Sequence, residues 1–293
     1  MSSPAQPQLD ALLPQEMAVR AEEIGVRKAN LDTLSMFALA VLAGAFIALG
    51  AIFATTVLAG AGSALPWGVS RLLAGVAFSV GLILVLVGGA ELFTGNNLIV
   101  MAWASGRVRT AVLLKNWVVV YAGNFVGAFG TAMLVFVSGQ YAFGGGAVGA
   151  AALATAHAKV HFGFLAAVAL GTLCNALVCL AVWLTFSART TTDRILATIP
   201  PIAAFVAAGF EHSVANMYFV PVGILIRAAA PAGFWAQIGK SAADFSDLTW
   251  GRFLWANLLP VTIGNIVGGA VLVGAVYWFV YLRRRGAAGT AGA

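Results

Sequence analysis

Charge is what this chain has least of. Only 9% of its 293 residues are Asp, Glu, Lys or Arg, against roughly a quarter in an ordinary soluble domain, while 61% are hydrophobic. Several windows reach about 20 apolar residues, the length that crosses a hydrocarbon core, and the composition reads as an integral membrane protein. Cysteine is nearly absent too. Cys174 and Cys179 lie in one apolar span, and a separation of about 500° around a helix turns them in different directions, so free buried thiols are expected rather than a disulfide. The first 30 residues are polar and mixed in charge, without the short apolar core and cleavage site of a signal peptide. No nucleophile or cofactor motif is found, and no Cys or carboxylate cluster in the sequence joins His157 and His161; no enzyme, cofactor or metal is expected. The net charge of +6 comes from basic residues scattered at the flanks of apolar runs, which is a topology signal and not a nucleic-acid footprint.

What is present is a set of spans, read at 34–59, 69–103, 112–138, 159–186, 194–227 and 250–282. The second and fifth are too long to be simple and carry polar residues inside. Arg20, Arg27, Lys28, Arg107, Arg109, Lys115, Arg189, Arg194, Arg283, Arg284 and Arg285 fall on one side, and Arg71, Lys159, Arg227, Lys240 and Arg252 on the other. The excess of positive charge inside then predicts that both termini are cytoplasmic. The chain divides into an arm at 1–33, a six-span body at 34–282 and a tail at 283–293. Within the arm, 12-LLPQEMAVRAEEIGVRKA-29 has helical spacing, with Pro14 suited to a first turn. It reads as a short surface helix on the cytoplasmic face, with a gating role and contact with a cytoplasmic regulator as the functional alternatives.

The two long spans share a pattern. Glu91 and Asn96 in the second match Glu211 and Asn216 in the fifth, both E-x4-N. The spans that follow also match: Asn116, Asn124 and Gly127 against Asn257, Asn265 and Gly268, both N-x7-N-x2-G. Duplicated halves of three spans each must cross the membrane in opposite directions, and interrupted helices at equivalent places point to a permeation site near the midplane. Breaking a helix in lipid frees backbone groups at a cost of several kcal/mol each. Glu91 and Glu211 can accept the freed N–H groups, and Asn96 and Asn216 can serve donors and acceptors. Gly95 is expected to supply backbone geometry that other residues resist. Bracing the breaks is favoured for the glutamates over direct contact with a solute.

His212 stands apart because its neighbour already suffices as a brace, and imidazole changes charge near neutral pH. The first half has Leu92 at the equivalent place. Lys159 carries two readings, an interfacial lysine reaching for water or a fixed charge that draws anions into a vestibule.

The segments 91-ELFTGNNLIV-100, 115-KNWVVVYAGNFVGA-128, 175-NALVCLAVWL-184, 210-FEHSVANMYFVP-221 and 257-NLLPVTIGNIVGG-269 together resemble the formate/nitrite transporter family, most closely its formate channels, from about Leu13 to Arg283. The resemblance implies an all-α, aquaporin-like fold of six transmembrane helices in two inverted three-helix repeats, assembled as a homopentamer with one pore per protomer. It implies a multi-pass protein of a bacterial inner membrane, in contact with lipid. Its pore histidine falls on His212, its loop threonine on Thr94, its vestibule lysine on Lys159 and its pore asparagine on Asn175. The outer constriction falls on Phe78 and Phe205, the inner one on Leu82, Leu92 and Phe93, with Val178 nearby. Glu91 stands where close formate channels carry aspartate, and the extra methylene shifts the break slightly.

The expected activity is bidirectional passage of formate or a similar small monovalent anion, with Lys159 attracting it, His212 linking passage to a proton, and Thr94 and Asn175 orienting the carboxyl group. Nitrite, hydrosulfide or acetate is the alternative permeant. A neutral-solute channel fits less well with Lys159 and His212.

Overall fold

The computed structural model describes residues 11–61 and 64–284, so most of the expected tail lies outside the described residues. Among them there is no strand. The arm forms α1 (Pro14–Ala29), started by Pro14 and by Glu16, whose carboxylate accepts from the Leu13 N–H at 2.8 Å. Asp32 caps α2 (Thr33–Leu58) by accepting from Ser35 N–H at 2.9 Å. The second span begins as α3 (Trp67–Gly88), ends at Gly89 and resumes as α4 (Phe93–Asn96), a tight turn at Asn97–Ile99 and α5 (Val100–Ala104). The third span is α6 (Thr110–Val137). The fourth span, α8 (Phe164–Ser187), is preceded by a separate helix, α7 (Ala147–Lys159). Lys159 therefore ends a helix of its own instead of opening the fourth span.

The fifth span is two helices of 17 residues, α9 (Thr191–Ala207) and α10 (Ser213–Ala229). At 1.5 Å per residue each is about 25 Å long, short of the hydrocarbon core. After a 113° bend α11 (Ala232–Ile238) follows. The last span runs from α12 (Trp250–Arg252) through α13 (Leu259–Ile266) to α14 (Val276–Tyr281), with wider π turns at Phe253–Leu258 and Val267–Ala275. Five helices are long and apolar enough to cross a membrane, α3 of the broken second span among them, and α10 with α11 makes a sixth if that bent pair is one span.

Glycines set the close helix pairs. A Cβ on Gly127 would collide with the Val41 carbonyl, and one on Gly268 with the Thr172 carbonyl. The glycine of the N-x7-N-x2-G pattern thus lets α6 press onto α2, and the last span onto α8, backbone against backbone. Gly95 has no such role. It lies inside a helical turn, and the left-handed geometry at the breaks belongs to Gly89 (φ 81°) and Gly209 (φ 75°), which end α3 and α9. Each stands two residues before a break glutamate, so the repeated pattern is G-x-E-x4-N.

α1 is not a loose surface helix. Met17, Ala18, Ala21, Gly25 and Ala29 are buried, Arg20 donates to the Phe186 carbonyl at 3.1 Å, and Arg107 pairs with Glu22 at 2.9 Å.

Candidate pore site

The two breaks are built from the same parts. Glu91 N–H donates to the Leu39 carbonyl at 3.2 Å, and Glu211 N–H to that of Leu170 at 3.3 Å. Asn124 accepts from Phe93 N–H at 2.9 Å and donates to the carbonyls of Ala40 and Glu91. Asn265 accepts from Ser213 N–H at 2.9 Å and donates to the carbonyls of Gly171 and Glu211. Each asparagine thus satisfies both backbone signs that a broken helix exposes, and lipid supplies neither.

The glutamates do not take up freed backbone N–H groups, as their side-chain chemistry first suggests. They are ion-paired. Lys28 Nζ lies 2.6 Å from Glu91 Oε1, and Lys159 Nζ 2.7 Å from Glu211 Oε1. The second carboxylate oxygen accepts from Asn96 in one half and Asn216 in the other, both at 2.7 Å. Those amides donate onward to Asn116 at 3.0 Å and Asn257 at 2.8 Å. Asn116 then donates to the Lys28 carbonyl, and Asn257 to that of Lys159, closing each ring. The internal repeat therefore begins one helix earlier than E-x4-N indicates, with α1 as the counterpart of α7.

Lys28 is a site residue that sequence reasoning counted only toward topology and the helical spacing of the arm. Its signal was its place in the penultimate position of a short helix, which Lys159 shares approximately at the end of α7. Lys159 is only 13% exposed, and its ammonium sits 5.3 Å from the centre of the Phe219 ring, so it does not reach out to bulk water.

The halves differ at the residue after the glutamate. Leu92 precedes α4 without a side-chain cap. His212 caps α10, its Nδ1 accepting from Ala215 N–H at 3.0 Å, and its Nε2 is 2.9 Å from Thr94 Oγ1. An acceptor Nδ1 in a neutral ring places the proton on Nε2, which then donates to the Thr94 hydroxyl. Both residues are buried, and their bond joins one break to the other.

A cavity of about 60 Å³ opens on His212 and is lined by Phe78, Phe205, Phe219, Lys159 and Arg71 among others. Phe78 and Phe205 meet edge to face at 5.6 Å, and Phe205 stacks on the imidazole at 6.0 Å. Arg71 is the second residue the sequence reading missed. Its Nη2 donates to the Val206 carbonyl, while its buried Nε has no partner. On the terminal face a larger cavity of about 260 Å³ includes Arg20, Lys28, Glu91, Gly95 and Arg194. Leu82, Leu92 and Val178 are buried in the core with Phe78. Phe93 packs against Tyr121 at 4.8 Å and Trp117 at 6.2 Å, facing α6 and a groove beside the last span. Asn175 is fully buried and donates to Asn265 O at 2.7 Å, Asn97 Oδ1 at 2.8 Å and Thr94 O at 3.3 Å, so its amide is engaged by the protein.

Two membrane-embedded half-helices, joined at their tips by an imidazole and a hydroxyl and approached by a cavity from either face, define a multi-pass membrane protein of the channel class. The formate/nitrite transporter family model matches residues 15–279, and the chain belongs to that family. It is 49% identical to the formate channel FocA of Escherichia coli strain K12 over 274 residues, 94% of this chain and 96% of the relative. It is 44% identical to the formate channel FocA of Haemophilus influenzae over 264 residues, 90% and 93%. A solved pentameric formate channel with formate bound superposes with a TM-score of 0.82 at 47% identity, covering 86% of this chain and 98% of that one. These relatives are channels and not enzymes.

Proposed function

We propose that this chain is a bidirectional formate channel of the cytoplasmic membrane, with both termini in the cytoplasm, assembled as a homopentamer. The observation that carries the reading is the His212–Thr94 bond between the two breaks, beneath the Phe78–Phe205 pair and beside the Lys159 cavity. Its relatives' names and the formate-bound pentamer support the permeant and the assembly.

Formate is drawn to the outer cavity by Arg71 and Lys159 and to the inner one by Arg20, Lys28 and Arg194. A bare carboxylate does not cross the apolar ring of Phe78 and Phe205, because burying an unpaired charge costs far more than burying the neutral acid. A proton must join it, and His212 is the group placed to carry one. At rest Nδ1 accepts from Ala215 N–H. A second proton on that nitrogen removes the bond and strands a buried donor, at a cost of roughly 1–3 kcal/mol. The doubly protonated ring is therefore a poor resting state and a ready proton donor. Its Nε2 proton passes to the carboxylate and formic acid leaves through the apolar ring; the proton left on Nδ1 then moves to Nε2 by tautomer exchange, which restores the bond from Ala215 N–H. Thr94 orients the carboxyl group through its hydroxyl. Asn175 acts as a positioning residue behind Thr94, and Phe93 acts as packing behind the inner ring of Leu82, Leu92 and Val178.

Parallel uptake of formate and nitrite by proteoliposomes tests the permeant. Formate is expected to move faster than nitrite, hydrosulfide or acetate. Faster nitrite uptake would overturn the assignment.

A further inference from the structure

The face opposite the termini carries a cluster that the pore does not use. His157 lies near the end of α7 and His161 one turn beyond, with their rings 4.2 Å apart. Sequence reading found no carboxylate to join them. The fold supplies Asp247, from the loop between α11 and α12. Its Oδ1 is 3.3 Å from His157 Nε2, and its Oδ2 is 2.5 Å from His161 Nε2. The three ligand atoms lie within 4.8 Å of one another.

The bonding poses a proton-counting question. His161 Nδ1 is 2.6 Å from the His157 carbonyl, which calls for a proton on Nδ1. A neutral ring then turns the bare Nε2 lone pair toward a carboxylate, acceptor against acceptor. Either the ring carries two protons, or a cation belongs between Nε2 and the carboxylate.

We propose that His157, His161 and Asp247 form a binding site for a divalent transition-metal ion of the zinc type on the outer rim of the channel. Two imidazole nitrogens and one carboxylate, with a fourth position left to water, make an open zinc donor set. The Nδ1–H bond from His161 to a backbone carbonyl is the outer contact that orients a metal-binding imidazole. Ligand atoms around zinc stand about 3.3 Å apart given bonds of about 2.0–2.1 Å, so small side-chain rotations suffice. All three side chains are about one-third exposed, which gives an ion a route in. Arg252, whose Nη1 is 4.0 Å from Asp247 Oδ2 and 3.5 Å from the Val160 carbonyl, is the resident cation that the ion joins or displaces. Bound metal would fasten the 239–249 loop to the end of α7, two residues either side of Lys159.

The test uses purified full-length protein, stripped of metal and titrated with Zn2+ by calorimetry and with Co2+ by visible absorption. One ion per chain and a tetrahedral-type cobalt spectrum are expected, with affinity falling at least tenfold in both His157→Ala and Asp247→Ala. Formate uptake in metal-free buffer serves as the folding control and is expected to survive in both variants. Should either variant fail that control, Asp247→Asn, which keeps the shape and removes the charge, is titrated instead with the same expected loss. Absence of stoichiometric binding, leaving only a protonated His161–Asp247 pair, overturns the proposal. So does equal binding in the wild type and folded variants.

Discussion

An imidazole that caps a helix through Nδ1 has only Nε2 to offer a solute, and His212 spends Nε2 on Thr94. The pair is thus one unit, and each member is expected to fail without the other. Thr94→Val removes the hydroxyl while keeping the shape, and formate uptake should fall about tenfold, the worth of one hydrogen bond in a buried site. Thr94→Ser should restore most of it; equal uptake in the valine and serine variants would make the hydroxyl irrelevant. Lys159 supports a second prediction. Because Glu211 is 3% exposed and Lys159 13%, Lys159→Met strands a buried carboxylate and should destabilise the protein by about 3–5 kcal/mol. The double variant Lys159→Met/Glu211→Gln should regain thermal stability in detergent without regaining formate uptake. Recovery of both would reduce Lys159 to scaffold.

At the scale of the element, the breaks show how far a sequence reaches. The patterns E-x4-N and N-x7-N-x2-G located both interruptions because the same backbone problem recurs and has the same amide solution. They missed Lys28 as a bracing residue, since it lies 63 residues from Glu91 and nothing local marks the pairing. The misplaced glycine has a similar cause. Gly95 is conspicuous within its motif, but the left-handed turn comes where α3 ends, at Gly89. Asn124→Ala and Asn265→Ala should therefore cost similar stability, roughly 1–3 kcal/mol each, measured by thermal unfolding in detergent. A large effect from one and none from the other would break the equivalence of the halves.

The cap on α9 adds a pH prediction. Asp193 is held below the ordinary aspartate range, first by the Thr190 backbone N–H and then by that of Arg189. Its contribution is present above the ordinary aspartate pKa and lost as pH falls through the depressed value. Amide exchange at the start of α9 should accelerate only under strong acid. Acceleration near neutral pH would contradict the capping role.

For the whole molecule, the span count and the duplicated halves were legible because lipid forces long apolar runs and repeated repairs. The meeting of His157 with Asp247 was not, because a loop that carries no motif brings Asp247 to the end of α7. α1 looked separable in sequence but is the first element of the repeat, docked through Met17, Ala18 and Ala21. In the single chain Leu34, Val137, Leu165 and Trp255 are more than two-thirds exposed, surface suited to lipid or a neighbouring protomer. Native mass spectrometry from detergent is expected to give five copies of the chain; a stable monomer would contradict the proposed assembly.

Proton-linked passage at His212 is the central step of the proposed mechanism. The direct measurement is formate flux and accompanying charge in proteoliposomes across pH, for wild type and His212→Asn. Wild-type uptake should rise as pH falls, with less than one net charge carried per formate in acid, and the variant should lose that pH dependence. Equal rates and the same pH profile in both, or one full charge per formate at every pH, would contradict the account.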